Sequence, residues 1–245
     1  MYKKVQILFS SATNSDEIHP YFREEAIAFS KAGFIVSTTP CEDAECIIYR
    51  GVSIKNENQY PKSEKCINTW QQCKYTTLLS CYYQLIEDIT IPTFFWENLD
   101  NTVIPEIVKR GWNKVFIKND IYSLMYVNEH YSVWPDNTFD KMGAEFNKSG
   151  YRGLYAIRKY MLPALFLKED RYWVLNGEIY YRNNNIPDIV REAVRRLNVL
   201  GSKYYVIDAT PDFIVEVNPG ESADRCGENS VEMFARWFKE AFILK

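Results

Sequence analysis

Apolar residues follow two different rhythms along this chain. Near the start, short apolar runs (Val5-Gln-Ile-Leu-Phe9, Phe34-Ile-Val36 and Cys46-Ile-Ile-Tyr49) flank a stretch led by Pro20, where Phe22, Ala26 and Phe29 recur at helical spacing until Gly33. Strand, helix, strand in that order builds a mainly parallel sheet covered by helices. Over 66–86, Ile67, Trp70, Leu78, Leu79 and Tyr82 predict a long, interrupted helical region, and Pro92 in Ile91-Pro92-Thr93-Phe94-Phe95 marks a linker. After the linker come strand-like runs at 114–118, 164–167, 171–175 and 178–182, with Asn176-Gly177 between the last two as a hairpin turn. These predict an antiparallel sheet. Ile189, Val190, Ala193, Val194 and Leu197 form the buried stripe of a helix that stops at Gly201. A second hairpin is predicted over 204–208 and 213–218, and Ser230 caps a last helix whose apolar face carries Met233, Phe234, Trp237, Phe238 and Phe242. The expected class is α/β (α+β), with an open N-terminal α/β domain over 1–92 and a second domain over 93–245.

Composition narrows the function classes. With 245 residues, 47% of them apolar, the chain can bury a substantial core. Its 29 basic and 32 acidic residues leave a net charge of −3 and form no long run of one sign, so no nucleic-acid partner is advertised. Core packing accounts for aromatic pairs such as Tyr82-Tyr83 and Tyr180-Tyr181. Six cysteines without a secretory signal point to free thiols and a cytoplasmic setting. Cys41 and Cys46 approach zinc spacing, but no second close pair follows, and His19 and His130 stand far apart. Apolar runs such as 91–96 are far shorter than the roughly twenty residues that span a bilayer, so no transmembrane segment is expected. Neither a Gly-x₄-Gly-Lys-Ser/Thr loop nor a Gly-x-Gly-x-x-Gly turn occurs.

Chemistry concentrates at 204–222, where acids and an amide interrupt apolar strands. Glu216 and Asn218 alternate onto one face, and a three-residue loop at 210–212 sets Val206 opposite Glu216, which brings Asp208 to the same face. Two carboxylates and an amide oxygen suit Mg²⁺, which takes one or two carboxylates together with a substrate's phosphates. A register slip of one residue would turn Asp208 away. On spacing alone, the trio could equally line the solvated face of an edge hairpin.

The order of parts resembles the ATP-grasp superfamily over most of the chain, particularly the compact ATP-grasp ligase domains of phages and of bacterial conflict and biosynthetic gene neighbourhoods. The residues that carry the resemblance are Tyr49-Arg50-Gly51, Cys66-Ile-Asn68 leading to Lys74-Tyr-Thr-Thr-Leu78, the linker at Pro92, Lys118, Glu169-x-Arg171, Asp208, and Glu216-x-Asn218-Pro-Gly. The resemblance implies ATP and Mg²⁺ as cofactors, a lysine-bearing subdomain over about 93–163 and a metal-bearing sheet with helices over about 164–245. It assigns Lys74 and Lys118 to ATP phosphates, Arg171 to the transferred phosphoryl or acyl phosphate, Glu169 to ribose or metal, and the backbone near Phe166 and Leu167 to adenine. Asp208, Glu216 and Asn218 become the metal set. Arg182 and Arg225 are candidate substrate ligands, each equally explained as a surface residue, and Cys226 is a bystander.

The implied reaction joins a carboxylate to an amine through an acyl phosphate, with an amino acid or peptide as substrate. A nucleotide- or nucleic-acid-modifying relative and a non-catalytic ATP-binding module are the alternatives. One departure favours the last: where related domains often carry a further lysine, this chain reads Asn119-Asp-Ile-Tyr122-Ser123.

Overall fold

In the computed structural model, which describes residues 2–12, 16–52, 57–97, 99–120, 132–149 (145–149 by backbone alone), 153–183, 185–225 and 230–244, three short strands open the chain. β1 (Val5–Phe9), buried at every position, is flanked by β2 (Ile35–Ser37) and β3 (Cys46–Arg50), both parallel to it. α1 (Arg23–Ala32) joins β1 to β2 and ends where Gly33, at φ 97°, turns left-handed and donates to the Phe29 and Ser30 carbonyls.

The predicted long helix is two helices. α2 (Trp70–Thr77) starts in a capping box between Thr69 and Gln72, and Leu78 then adopts an extended conformation before α3 (Leu79–Ile86). The first turn of α3 is satisfied from elsewhere: the Ser80 N–H donates to Asp120 Oδ1 at 2.7 Å and the Leu79 N–H to the Asp120 carbonyl at 3.0 Å.

The middle of the chain folds as β4 (Thr93–Glu97), α4 (Ile104–Lys109), β5 (Lys114–Asn119), β6 (Val133–Pro135), α5 (Phe139–Ser149) and β7 (Leu154–Lys159). Its strands form an antiparallel sheet in the order β4-β7-β5-β6. The last part supplies β8 (Asp170–Leu175), β9 (Glu178–Tyr180), α6 (Asp188–Leu197), β10 (Tyr204–Ala209), β11 (Ile214–Pro219) and α7 (Val231–Lys239), with sheet order β11-β10-β8-β9. Asn176 and Gly177 both take positive φ, 52° and 84°, as a two-residue hairpin turn demands. The strand expected at 164–167 is instead a helical turn, Pro163–Phe166. Pro163 is set for a first helical position, and Leu165 and Leu167 are exposed rather than paired in a sheet.

The sheet β11-β10-β8-β9 is covered on both faces. One face gives Trp173, Tyr204 and Val206 to a core shared with β1, β3, α1 and α7, and the other packs Tyr172, Tyr205 and Ile207 against α3 and α6. Both cores therefore join residues from either side of Pro92. Arg50 is fully buried in the first core, paired with Glu25 and donating from Nη1 to Tyr204 Oη and to the carbonyls of Gly220 (2.7 Å) and Ala223 (2.8 Å). Phe22, Trp173 and Phe234 surround it at 5.0–5.7 Å.

Gly220 passes so close to Tyr204 that an added Cβ would sit 2.4 Å from the ring. Gly220→Ala is therefore expected to cost about 1–3 kcal/mol by overpacking, read as a lowered urea midpoint. An unchanged midpoint would show that the loop yields freely.

Candidate active site

The two antiparallel sheets meet over a cavity of about 510 Å³, with Phe116 and Lys118 of β5 and Arg158 of β7 on one side and Val215 and Glu216 of β11 on the other. The segment after β7, including Met161 and Phe166, completes an apolar wall. Its polar end is where the predicted trio lies.

There, Asp208 is directly opposite Glu216, and Val206 opposite Asn218, rather than Val206 opposite Glu216 as expected. Two local features explain the difference. The Thr210 hydroxyl accepts from the Asp212 and Phe213 N–H groups, and the Thr210 N–H donates to the Phe213 carbonyl, which tightens the turn by one residue. That shift alone would turn Asp208 away from Glu216. A bulge between Asp208 and Ala209, where Ala209 pairs Ile214 and Val215 is skipped, adds a second shift and restores the shared face.

The three side chains touch. Asn218 Nδ2 donates to Asp208 Oδ2 at 3.1 Å and to Glu216 Oε1 at 3.0 Å. Lys118, 4% exposed, reaches across from the other sheet to Glu216 Oε2 at 3.2 Å. Arg171 forks onto Asp208, Nε to Oδ1 at 2.7 Å and Nη2 to Oδ2 at 2.8 Å, while its Nη1 holds Asp224 Oδ1 at 2.6 Å. Burial pushes the Asp208 carboxyl up, and the Arg171 fork pulls against it. For Glu216, burial is outweighed by Lys118, Asn218 and Arg158, and its carboxyl falls to about 2.

Glu169 stands at the cavity rim. Although the residue as a whole is exposed, partial desolvation of its carboxyl, followed by the charges of Asp208 and Glu216, pushes it up to about 7. The folded-state value thus lies above that of the unfolded chain, near 4.3. Its contribution to stability is fully present below about pH 4 and is lost as pH rises through 7. Glu169→Gln is expected to melt higher than wild type at pH 8, with the gap closing towards pH 4. A gap that stayed constant with pH would count against this electrostatic account.

The donor set fits Mg²⁺ held together with phosphate oxygens: one ionised carboxylate, a second carboxylate beside it, and an amide between them whose oxygen would face a cation once its NH₂ no longer bridges the acids. Among the described residues no three His, Cys, Asp or Glu side chains gather as a metal set, so the Asn218 amide is needed to complete the trio.

The other expected residues are more scattered. Phe166 lines the cavity and packs on Phe213 at 5.6 Å, whereas Leu167 is 84% exposed. Lys74 is half-buried on α2 and does not line the cavity. Arg182 pairs with Asp170, which points to the opposite face of β8 from Arg171, so the two arginines are separated by the sheet. Arg225 follows Asp224 and lies 3.9 Å from Glu24. Cys226, His130 and residues 121–123 of the lysine-poor stretch are outside the described residues. Sequence reasoning missed Asp224 and Arg158, the latter because β7 was not foreseen. The described cysteines, Cys41, Cys46, Cys66, Cys73 and Cys81, are free thiols, and no helix among the described residues is long and apolar enough to cross a membrane.

No family model and no curated protein matches the chain. Solved structures do. The D-cycloserine synthetase DcsG superposes with a TM-score of 0.67 at 11% identity, covering 96% of this chain and 99% of that one. An ATP-grasp ligase associated with RiPPs from Chryseobacterium gregarium, solved with ADP and a leader and core peptide, gives 0.62 at 10% identity, covering 97% and 96%. The ATP-grasp ligase PsnB, solved with a minimal precursor, Mg and ADP, gives 0.59 at 9% identity, also covering 97% and 96%. The chain has the fold of the ATP-grasp ligases, over nearly its whole length.

Proposed function

We propose that this chain is an ATP-dependent carboxylate–amine ligase that works through an acyl phosphate, with an amino acid or peptide as substrate. The observation that carries the reading is the meeting of Lys118 from one sheet with Glu216, Asn218 and Asp208 from the other, at the polar end of an apolar, nucleotide-sized cavity. The leader and core peptide held by one of the similar ligases, and the minimal precursor held by another, favour a peptide or amino-acid substrate.

Mg-ATP, when bound, would supply the phosphoryl group and a counter-charge for it. The apolar wall would take the base. Lys118 would turn from Glu216 to phosphate oxygens, leaving Glu216, with Asn218 and Asp208, to hold the cation. Arg171 is held between Asp208 and Asp224 within reach of the same region, where its fork would steady the acyl phosphate until an amine attacks the acyl carbon and inorganic phosphate leaves. Positioning and charge compensation of this kind account for most of the acceleration in phosphoryl transfer, so no protein nucleophile is required.

The test is ADP release with Mg-ATP across paired carboxylates and amines, including amino acids and short peptides. ADP formation that needs both partners supports a ligase. Nucleotide binding without turnover on any pair would favour a binding module instead.

A further inference from the structure

We infer that Arg158 makes this site prefer a purine that presents oxygen at position 6, guanine or hypoxanthine, over adenine, with ATP remaining a weaker ligand. This rests on the nucleotide reading of the cavity and narrows it. Arg158 is 4% exposed and belongs to the cavity wall. Its Nε reaches Thr93 Oγ1 at 3.3 Å and its Nη2 the Val215 carbonyl at 2.9 Å. A guanidinium has five N–H donors and no acceptor, so donors remain for a ligand. Among the described residues no carboxylate lies within ion-pair distance of it, whereas buried Arg50 has Glu25 and Arg171 has Asp208 and Asp224. Glu216 acts on it only from beyond ion-pair distance; a buried cation without a direct ion pair is costly, and one facing a cavity with donors to spare is a recognition group awaiting acceptor atoms.

Strand register says which part of the ligand it meets. On β7, Arg158 pairs with Phe116, and Ala156, two residues earlier on the same face, pairs with Lys118. Phosphates gathered at Lys118 and Glu216 therefore leave the backbone position of Arg158 one strand repeat away, about 7 Å, with its guanidinium between Thr93 and the Val215 carbonyl, on the side where the nucleotide reading puts the base. Guanine offers O6 and N7 as adjacent acceptors, which match an arginine fork. Adenine sets an amine donor beside N7, and a donor facing donors is unpaired.

The experiment is calorimetric titration of the intact chain with Mg-ITP, Mg-GTP and Mg-ATP, repeated on Arg158→Gln, whose amide offers both a donor and an acceptor. The expected result is roughly tenfold tighter binding of ITP and GTP than of ATP, with the preference lost in the variant. ATP binding as tightly as ITP, or tighter, would overturn the inference and leave the ligase reading standing. So would a variant that weakens all three equally, since that assigns Arg158 to phosphate. Failure of all three to bind the wild type at millimolar concentration would overturn both readings. The wild-type comparison does not depend on the variant folding.

Discussion

Mg-ATP at a hundredfold excess over its Kd is expected to raise the thermal midpoint of the wild type by roughly 5–10 °C, and to leave Glu216→Ala and Lys118→Ala almost unmoved. A ligand that binds only the native state adds about 2.7 kcal/mol at that excess, and a chain of this size gains about 2–4 °C per kcal/mol. Lys118 and Glu216 hold one another at 3.2 Å, so each single variant leaves the other group without its partner and lowers its own midpoint before any ligand is added. The quantity to compare is therefore the ligand-induced shift, measured with Mg²⁺ and again with chelator. A shift that requires Mg²⁺ in the wild type and vanishes in both variants places nucleotide and cation at the junction of the two sheets. A shift that survives in both variants puts the nucleotide elsewhere.

Glu25→Ala is expected to cost about 3–5 kcal/mol, the loss typical of breaking a buried ion pair from one side, or a fall in midpoint of roughly 6–20 °C. Arg50 is fully buried, and Glu25 is its only carboxylate partner among the described residues. Removing it leaves a guanidinium facing three aromatic rings, two carbonyls and the Tyr204 hydroxyl. Those carbonyls, of Gly220 and Ala223, belong to the loop that carries Asp224 to Arg171. The same variant should therefore blunt the Mg-ATP shift as well as lower the midpoint in urea and heat. A cost under about 1 kcal/mol would mean that the carbonyls, the Tyr204 hydroxyl and the ring faces can hold the charge without a carboxylate.

The sequence was most informative where a residue type ran against its surroundings. Asp208, Glu216 and Asn218 interrupt apolar strands, and Lys118 sits near the end of one, which made them visible as chemistry before any geometry was known. The pairing of those strands was not readable, because it depends on a threonine hydroxyl closing the turn and on one skipped residue. The trio kept a common face because those two shifts add to two residues, a full repeat of the strand's alternation. Asn176-Gly177 fixed its hairpin because the turn demands positive φ at both positions. The apolar run at 164–167 misled for the opposite reason: apolarity alone does not distinguish a strand from an exposed helical turn beside a cavity. Lys74 and Arg182 were singled out for charge and order in the chain, and neither property reports which face of an element a side chain leaves from.

The first core has a consequence for how the protein is made. Phe29 of α1 packs on Phe234 and Phe238 of α7, with ring centres 5.8 and 5.1 Å apart, so the opening α/β unit completes its apolar packing only when α7 has left the ribosome. At about 5–20 residues per second, that leaves the aromatic side of β1, β3 and α1 uncovered for on the order of ten to forty seconds, with Arg50 still lacking its Gly220 and Ala223 carbonyls. A nascent chain arrested before α7 should therefore be held by chaperones or aggregate, and the yield of soluble protein should be more sensitive to changes in Phe234 and Phe238 than to changes on the exposed side of the same helix.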